Sequence, residues 1–527
     1  MKKVLALILA LVLALGLVAC GGTGAGNNGG AVNTDIPEED RYGGTLDMYV
    51  GSFSDTFDPM YTTGWVSYNW SCGVYENPIA RDEKGNFVPG VCNFELSEDY
   101  LTLKLWPREG VKFHNGNLVT IDDVVASIER AGGMVSNMKK FWTPYVESVT
   151  VEDGVATYTF TEFNINTLLY LAHWANWNGV MPKEILEKYG EDPVNQVEDA
   201  IGTGPYKVVG YQTNALIELV RFEDYIPTGV ECENYAQSKK AYLDRVNVWV
   251  NGEASSVFSK LMAGEYDIGS VSADNKALLM DRGLLELVNP QLSMIAMSFN
   301  TKNPDRPTAD PNLRKAIAAA LDYNAIAETW NDEPYTIDAR PMQAPYDTEI
   351  FNTADYIGSS NLELAKEYLA KSNYNGETIV LIDTSEGTPN VWQSNLEALG
   401  LNVEVQYMEN TAYRAYRLEN SNPYDCVFYS YEVKDNVPCQ LSSTPRTAFW
   451  GSELKDKLFD DLTKVPAATE ESIAIWEELA QHWIDDCSIV NFATFSSSKV
   501  HNPELVPNWP GLEYWYNAYW LNPEAHQ

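Results

Sequence analysis

Apolar residues fill almost every position from Val4 to Val18, with Gly16 as the break, and the run stops at Cys20. From Gly21 to Gly30 the chain holds Gly, Ala, Asn and Thr, a stretch with no side chain able to build a core. Alternation begins at Gly43-Gly44-Thr45-Leu46-Asp47-Met48-Tyr49-Val50 and predicts the first strand of a folded body. Short strand-like runs follow, such as Leu101 to Leu105, broken by Pro107, Gly110 and Gly116. The spacing of apolar positions then predicts an amphipathic helix from about Ile121 to Arg130. Alternation returns in Tyr206 to Val209 and Ile217 to Val220. Asp310-Pro311 supplies an N-cap and an N1 proline, and Leu313, Ala316, Ile317, Ala320 and Leu321 follow at helical spacing. Thr378 to Ile382 reads as a strand, Val391 to Leu399 as a helix stopped by Gly400, and Leu401 to Tyr407 as a strand again. That β-α-β unit implies a parallel pair with a right-handed crossover, and Cys426 to Tyr429 extends the same sheet. The class is α/β. In open α/β sheets ligands lie outside the carboxyl ends of the strands, so the loops after Ile382 and after Tyr429 are expected to hold one.

The N-terminal run changes its meaning once its flanks are weighed. Met1-Lys2-Lys3 is a basic head, and the run is shorter than the roughly 20 residues a spanning helix needs. It reads as a secretory signal peptide. Val18-Ala19-Cys20 resembles the lipobox of bacterial lipoproteins, which implies acylation of the Cys20 thiol and cleavage just before it. The polar stretch beyond is then a flexible tether. Gly24 to Gly29 spells G-x-G-x-x-G, but with no strand before it and no helix after it this is tether composition.

The chain has 527 residues, too many for one typical core, so at least two lobes are expected. Its 74 acidic residues against 36 basic ones give a formal charge of -38, which disfavours nucleic acid or an anionic membrane surface as partner. The acidity suits an exported soluble protein; attraction of cationic ligands is the other reading. With Cys20 acylated, Cys72, Cys92, Cys232, Cys426, Cys439 and Cys487 remain, an even number that permits disulfides, and Cys426 with Cys439 is the first pair to expect. No C-x-x-C occurs, and no zinc site is expected.

Catalytic signatures are missing. There is no G-x-S-x-G, no H-E-x-x-H and no G-x-x-x-x-G-K. Ser136 to Lys139 and Ser496 to Lys499 match S-x-x-K, a four-residue pattern that chance supplies in a long chain, and K-T-G is absent. The five histidines show no i, i+4 pairing and are expected to be structural. A carboxylate pair of glycosidase type stays open, because acids are numerous and fifteen tryptophans would suit a sugar cleft. Aromatics beside polar loop residues, among them Trp65, Trp70, Trp177, Trp392 and Tyr431, are candidates for the walls of a cleft.

Several ordered segments resemble the family 5 extracellular solute-binding proteins, the peptide- and nickel-binding components of ABC importers. They include Asp55-Thr56-Phe57-Asp58-Pro59, Tyr75-Glu76-Asn77, Gly110-Val111-Lys112-Phe113-His114-Asn115-Gly116, Gly202-Thr203-Gly204-Pro205-Tyr206-Lys207 and Leu261 to Ile268. The resemblance implies a two-lobed periplasmic-binding-protein-like fold of type II, in the large cluster with an extra subdomain, with mixed sheets and flanking helices. The expected organisation is a signal peptide at 1–19, a tether at 20–41, and a first lobe at 42–295 with an inserted subdomain at about 62–198. A second lobe at 296–490 and a C-terminal segment at 491–527 returning to the first lobe complete it.

Most motif residues read as scaffold: Gly110, Gly116 and Gly204 suit turns of positive φ, and Asp122 the start of a helix. Ligand contacts are implied instead for Thr63, Gly64 and Trp65 in the first lobe, and for Tyr431, Glu432 and Asp435 in the second. Trp392 opens the helix of the β-α-β unit and is expected to face the cleft. In peptide-binding members an aspartate of the second-lobe loop pairs with the ligand's α-amino group. The ungapped position here is Lys434, and Asp435 stands one place along. The function implied is that of a monomeric binding protein without cofactor or metal, lipid-anchored through Cys20 outside the cell membrane, delivering a peptide or small molecule to ABC permease subunits. A non-peptide solute such as a glycan or metal chelate is the alternative within this class, and a lipid-anchored hydrolase the alternative outside it.

Overall fold

The computed structural model describes residues 36–51, 53, 56–61, 69–173, 175, 177–250, 252–331, 333–339, 361–419, 421–432, 449–467, 469–507 and 515–527. The chain divides into two compact units, Met1–Asp40 and Arg41–Gln527. Of the first, the described residues Pro37 to Asp40 are all exposed. No helix among the described residues is long and apolar enough to cross a membrane.

In the second unit one mixed sheet of eleven strands runs through most of the architecture. Its order is Val403–Tyr407, Ile379–Asp383, Cys426–Glu432, Leu285–Phe299, Ile489–His501, Ile268–Gly269, Thr45–Gly51, Arg245–Val250, Leu216–Arg221 and Tyr206–Gln212, with Tyr335–Ile337 also beside Ile489–His501. The two longest members, Leu285–Phe299 and Ile489–His501, are antiparallel neighbours along their whole length and belong to both halves of the sheet. At one end they pair Leu285 with His501 beside the Ile268–Gly269 strand, and at the other Ser298 with Ile489 beside Cys426–Glu432. Between Asn289↔Ser497 and Ser293↔Phe495 the register slips, because four steps on one strand face two on the other. Such a bulge breaks the ladder locally and bends the strands. These two strands escaped the sequence reading, although Met294 to Phe299 is a nearly unbroken apolar run of the kind a strand buried on both faces requires.

Separate cores lie on the two sides of the slip. One gathers Leu46, Met48, Tyr206, Leu219, Val246 and Ile268 with Trp515, Tyr516 and Trp520 from the chain's last residues. On the other side Ile295, Met297 and Phe299 face Ile317, Trp392 and Leu396, while Ala296 faces Tyr429, Trp450 and Trp476 on the opposite face. A further core, between Met60 and Val180, belongs to an antiparallel sheet in the order Cys92–Leu96, Thr102–Pro107, Val155–Phe160 and Val146–Glu152 with its own helices.

Local chemistry explains the helix ends. The helix Ile121–Met134 starts from a reciprocal cap: the Thr120 hydroxyl accepts from the Asp123 amide, and the Asp123 carboxylate accepts from the Thr120 amide. The cap is therefore Thr120, with Asp122 in the first turn. Asp310 caps Pro311–Ala320 by accepting from the Asn312 amide, with the proline at N1 as expected. The expected β-α-β unit is present, with Ile379–Asp383 parallel to Val403–Tyr407 and to Cys426–Glu432, and Gly400 closing the helix Gly387–Leu399 in the left-handed region.

The motif residues bind to each other. His114 accepts at Nδ1 from the Gly202 amide and sits 3.0 Å through Nε2 from the Gly204 carbonyl, so the two glycine-rich motifs are stitched by one neutral imidazole. Burial pushes that ring down to about 4. Gly204 does not need positive φ, unlike Gly110 and Gly116. It is required because a Cβ there would come within 2.5 Å of the Gly73 carbonyl oxygen. Asp58, fully buried, takes a bidentate grip from Arg130 at 3.2 and 2.7 Å and also accepts from the amides of Met60 and Val194.

The cysteine expectation is corrected. Cys92, Cys232, Cys426 and Cys487 are free thiols, so Cys426 is not paired with Cys439, which lies outside the described residues. Cys426 points into the second-lobe core, and burial pushes its thiol well above the usual value.

Replacing Arg130 by Met would leave the Asp58 carboxylate buried without its counter-charge. The expected cost is about 3–5 kcal/mol of folding stability, read as a lowered midpoint in urea denaturation; an unchanged midpoint would show that the pair contributes nothing net.

Candidate ligand-binding site

The strand Ile379–Asp383 has its sequence successor Val403–Tyr407 on one flank and Cys426–Glu432 on the other. The chain thus reverses its direction of travel across the sheet at this strand, and in open α/β sheets the carboxyl ends of the strands at such a reversal are where a ligand crevice forms. Asp383 ends the strand. Its Oδ1 accepts from the amides of Thr384 and Ser385 at 2.6 and 3.2 Å, and burial raises its carboxyl above the usual range despite those bonds. Sequence reasoning passed over Asp383; the signal was a carboxylate closing an otherwise apolar strand.

Trp392 is placed differently from expectation. It has no exposed surface and lies on the helix face that Thr388, Pro389, Leu396 and Leu399 also turn inward. One and a half turns into the helix, that face meets the sheet, so the ring is a core residue. Trp70, from the same set of aromatics, is likewise buried, in a cluster with Phe53, Phe57 and Tyr211 whose ring centroids lie 5.1 to 5.8 Å apart.

Tyr431 does lie at a boundary. Half-buried, it packs at a tilt against Tyr429 with centroids 6.0 Å apart and donates its hydroxyl to Asn491 Oδ1 at 3.0 Å. The next residue, Glu432, ends the strand opposite Ser293, where the two long strands begin their slip. The strand therefore ends beside the slip that separates the two cores. Asp435, Thr63, Gly64 and Trp65 lie outside the described residues. The 62–68 segment is approached from Met60 and Tyr61, which follow directly on the Asp58 carboxylate held by Arg130. No group of three metal-ligating side chains occurs among the described residues.

Residues 79–443 match the family model described as bacterial extracellular solute-binding proteins, family 5, middle region. The chain belongs to this family. It is 25% identical over 459 residues to the oligopeptide-binding protein AppA of Bacillus subtilis, covering 78% of this chain and 77% of that protein. Among solved structures it superposes on the ABC transporter substrate-binding protein CtaP of Listeria monocytogenes with a TM-score of 0.75 at 18% identity, covering 91% of this chain and 100% of that one. For NikA of Brucella suis, described in complex with Fe(III)-EDTA, the TM-score is 0.73 at 15% identity, with 90% and 99% covered. The fold is thus the two-lobed one of periplasmic binding proteins.

In this solute-binding protein the Tyr431 to Asn491 bond ties the site-bearing strand to the second long strand, across the first. Tyr431→Phe would remove this hydrogen bond to Asn491 Oδ1. The expected loss is about 1–3 kcal/mol of stability, measured by urea denaturation, and an unaltered curve would remove this bond from the account.

Proposed function

We propose that the protein is the substrate-binding component of an ABC importer, taking a short peptide or similar small solute between its lobes and passing it to a membrane permease. Lipid on Cys20 holds it at the outer face of the cell membrane. The observation that carries the ligand reading is that the strand Cys426–Glu432 ends beside the slip between the two cores. The similarity to an oligopeptide-binding protein supports a peptide as the solute. A peptide backbone is recognised without regard to sequence by main-chain hydrogen bonds at a sheet edge, and its register is fixed by one terminal charge with a buried partner. Asp435 is assigned that role, with Glu432 as substitute, and Thr63, Gly64, Trp65 and Tyr431 as walls. Lobe closure then shields the pairing from water.

Calorimetric titration with one tetrapeptide, free and N-acetylated, tests this on the wild type, Asp435→Asn and Glu432→Gln. Removing one partner of a desolvated pair is expected to cost about 2–5 kcal/mol of affinity, and acetylation a similar amount. If acetylation costs nothing and Asp435→Asn binds as wild type, the amine anchor fails. If no peptide binds, the peptide assignment fails, and hydrolysis of the peptide during titration would replace binding by catalysis. Lys434, at the ungapped position of the amine-binding aspartate, favours a second reading: a solute without a free amine, such as a glycan or a metal chelate.

The anchor is tested separately. Cys20→Ala should release the protein from the membrane fraction or leave the signal peptide attached; unchanged anchoring and processing would count against acylation at that residue.

A further inference from the structure

Beside the slip between the long strands, side chains from both lobes meet in a polar seam. On the first-lobe side the helix Ala273–Asp281 is seated by Leu279, which packs with Val257, Leu261, Tyr266 and Val500. From this helix Lys276 extends Nζ to the Ser498 hydroxyl at 2.6 Å and to Glu286 Oε1 at 2.9 Å. Glu286 and Ser498 belong to the two long strands, opposite Val500 and Val288, just before the slip. From the other side comes Glu333, on the short connection between the helix Tyr323–Trp330 and the strand Tyr335–Ile337. That connection is fixed to the second-lobe half of the sheet, with Tyr335 opposite Phe495 and the Ser496 amide donating to the Pro334 carbonyl. The Ser498 hydroxyl donates to Glu333 Oε2 at 3.4 Å. One ammonium therefore serves two carboxylates, Glu286 within its own lobe directly and Glu333 of the other lobe through a buried hydroxyl.

The seam borders a cavity of about 490 Å³ with Ser272, Ala273 and Asp274 on one wall and Glu328, Asn331 and Tyr335 on the other. Rotation of one lobe about the slip changes the separation of these walls, and with it the distance between Lys276 and Glu333. The other charges on the walls, Asp274 and Glu328, are both acidic, so Lys276 is the cation that offsets repulsion across the groove. Burial and the nearby Glu286 raise the Glu333 carboxyl, while Lys276 and Ser498 act in the opposite direction.

We propose that Lys276, Ser498 and Glu333 form a latch across the hinge that sets the resting angle between the lobes. Without Lys276 the carboxylates of Glu286 and Glu333 face each other with no cation between them, and the lobes spread. Without the Glu333 charge the cross-lobe tie keeps its hydrogen bond from Ser498 but loses its attraction to Lys276, while the Lys276–Glu286 pair stays within the first lobe. A resting angle set this way enters every binding equilibrium, because a ligand is held by only a fraction of the conformations.

The latch goes beyond the reading of the protein as a peptide carrier, and its test needs no ligand. Small-angle scattering of the ligand-free full chain is compared for wild type, Lys276→Met, Glu333→Gln, the double variant and Glu286→Gln. Lys276→Met and Glu333→Gln are each expected to enlarge the radius of gyration. The double variant should exceed the larger single effect by less than the sum, and Glu286→Gln should not enlarge it. Glu333→Gln preserves size and hydrogen bonding, so it tests the latch even where Lys276→Met fails to fold. Wild-type radii for both single variants, or effects that simply add, would overturn the proposal. Where the tetrapeptide binds wild type, the same variants are expected to change its apparent Kd about fivefold or more. A tetrapeptide that binds no form defeats the peptide reading and leaves the scattering result to judge the latch.

Discussion

The strands Leu285–Phe299 and Ile489–His501 lie side by side through both halves of the molecule, and the rest of the structure takes its place from that pairing. An antiparallel ladder resists stretching and shear, because each displacement breaks backbone hydrogen bonds that have no alternative partner in a buried sheet. At the slip the ladder is interrupted, and a bulge of this kind bends the strands that carry it. Cys426–Glu432 is zipped to the first of them up to Ser293, so the end of that strand is fixed relative to the slip by main-chain bonds.

Around this spine the ordered motifs of the first lobe act as joints. His114 unites two glycine-rich segments, Gly204 allows two backbones to touch, and Arg130 holds Asp58 at the root of the segment that leads to Trp65. None of these side chains is placed to meet a solute. Their work is positional, since a loop can hold binding groups steadily only if its root is over-determined by the packing beneath it.

The surplus of acid is handled by segregation. Asp58 is gripped by Arg130, Glu76 by Lys239, Thr203 and Tyr225, and Asp425 by Arg306, the Thr308 hydroxyl and the Val380 amide. A buried carboxylate is tolerated only with such partners. Much of the remaining charge is in water, where it costs little and opposes self-association.

What the sequence determined by itself is local. Alternation, caps and breakers placed the β-α-β unit from Ile379 to Tyr407, the capped helix after Asp310 and the strand from Thr45, because each depends on neighbours within a few residues. Only the tertiary structure decided three further matters. Trp392 turned out to be core, because which face of a helix meets the sheet depends on what the sheet presents. Cys426 stayed a thiol, because its strand aims it inward. The long strands joined residues some two hundred positions apart, and no local pattern shows that Glu333, Lys276 and Ser498 share one seam: contacts at that separation are set by how two cores dock, which is a property of the whole chain.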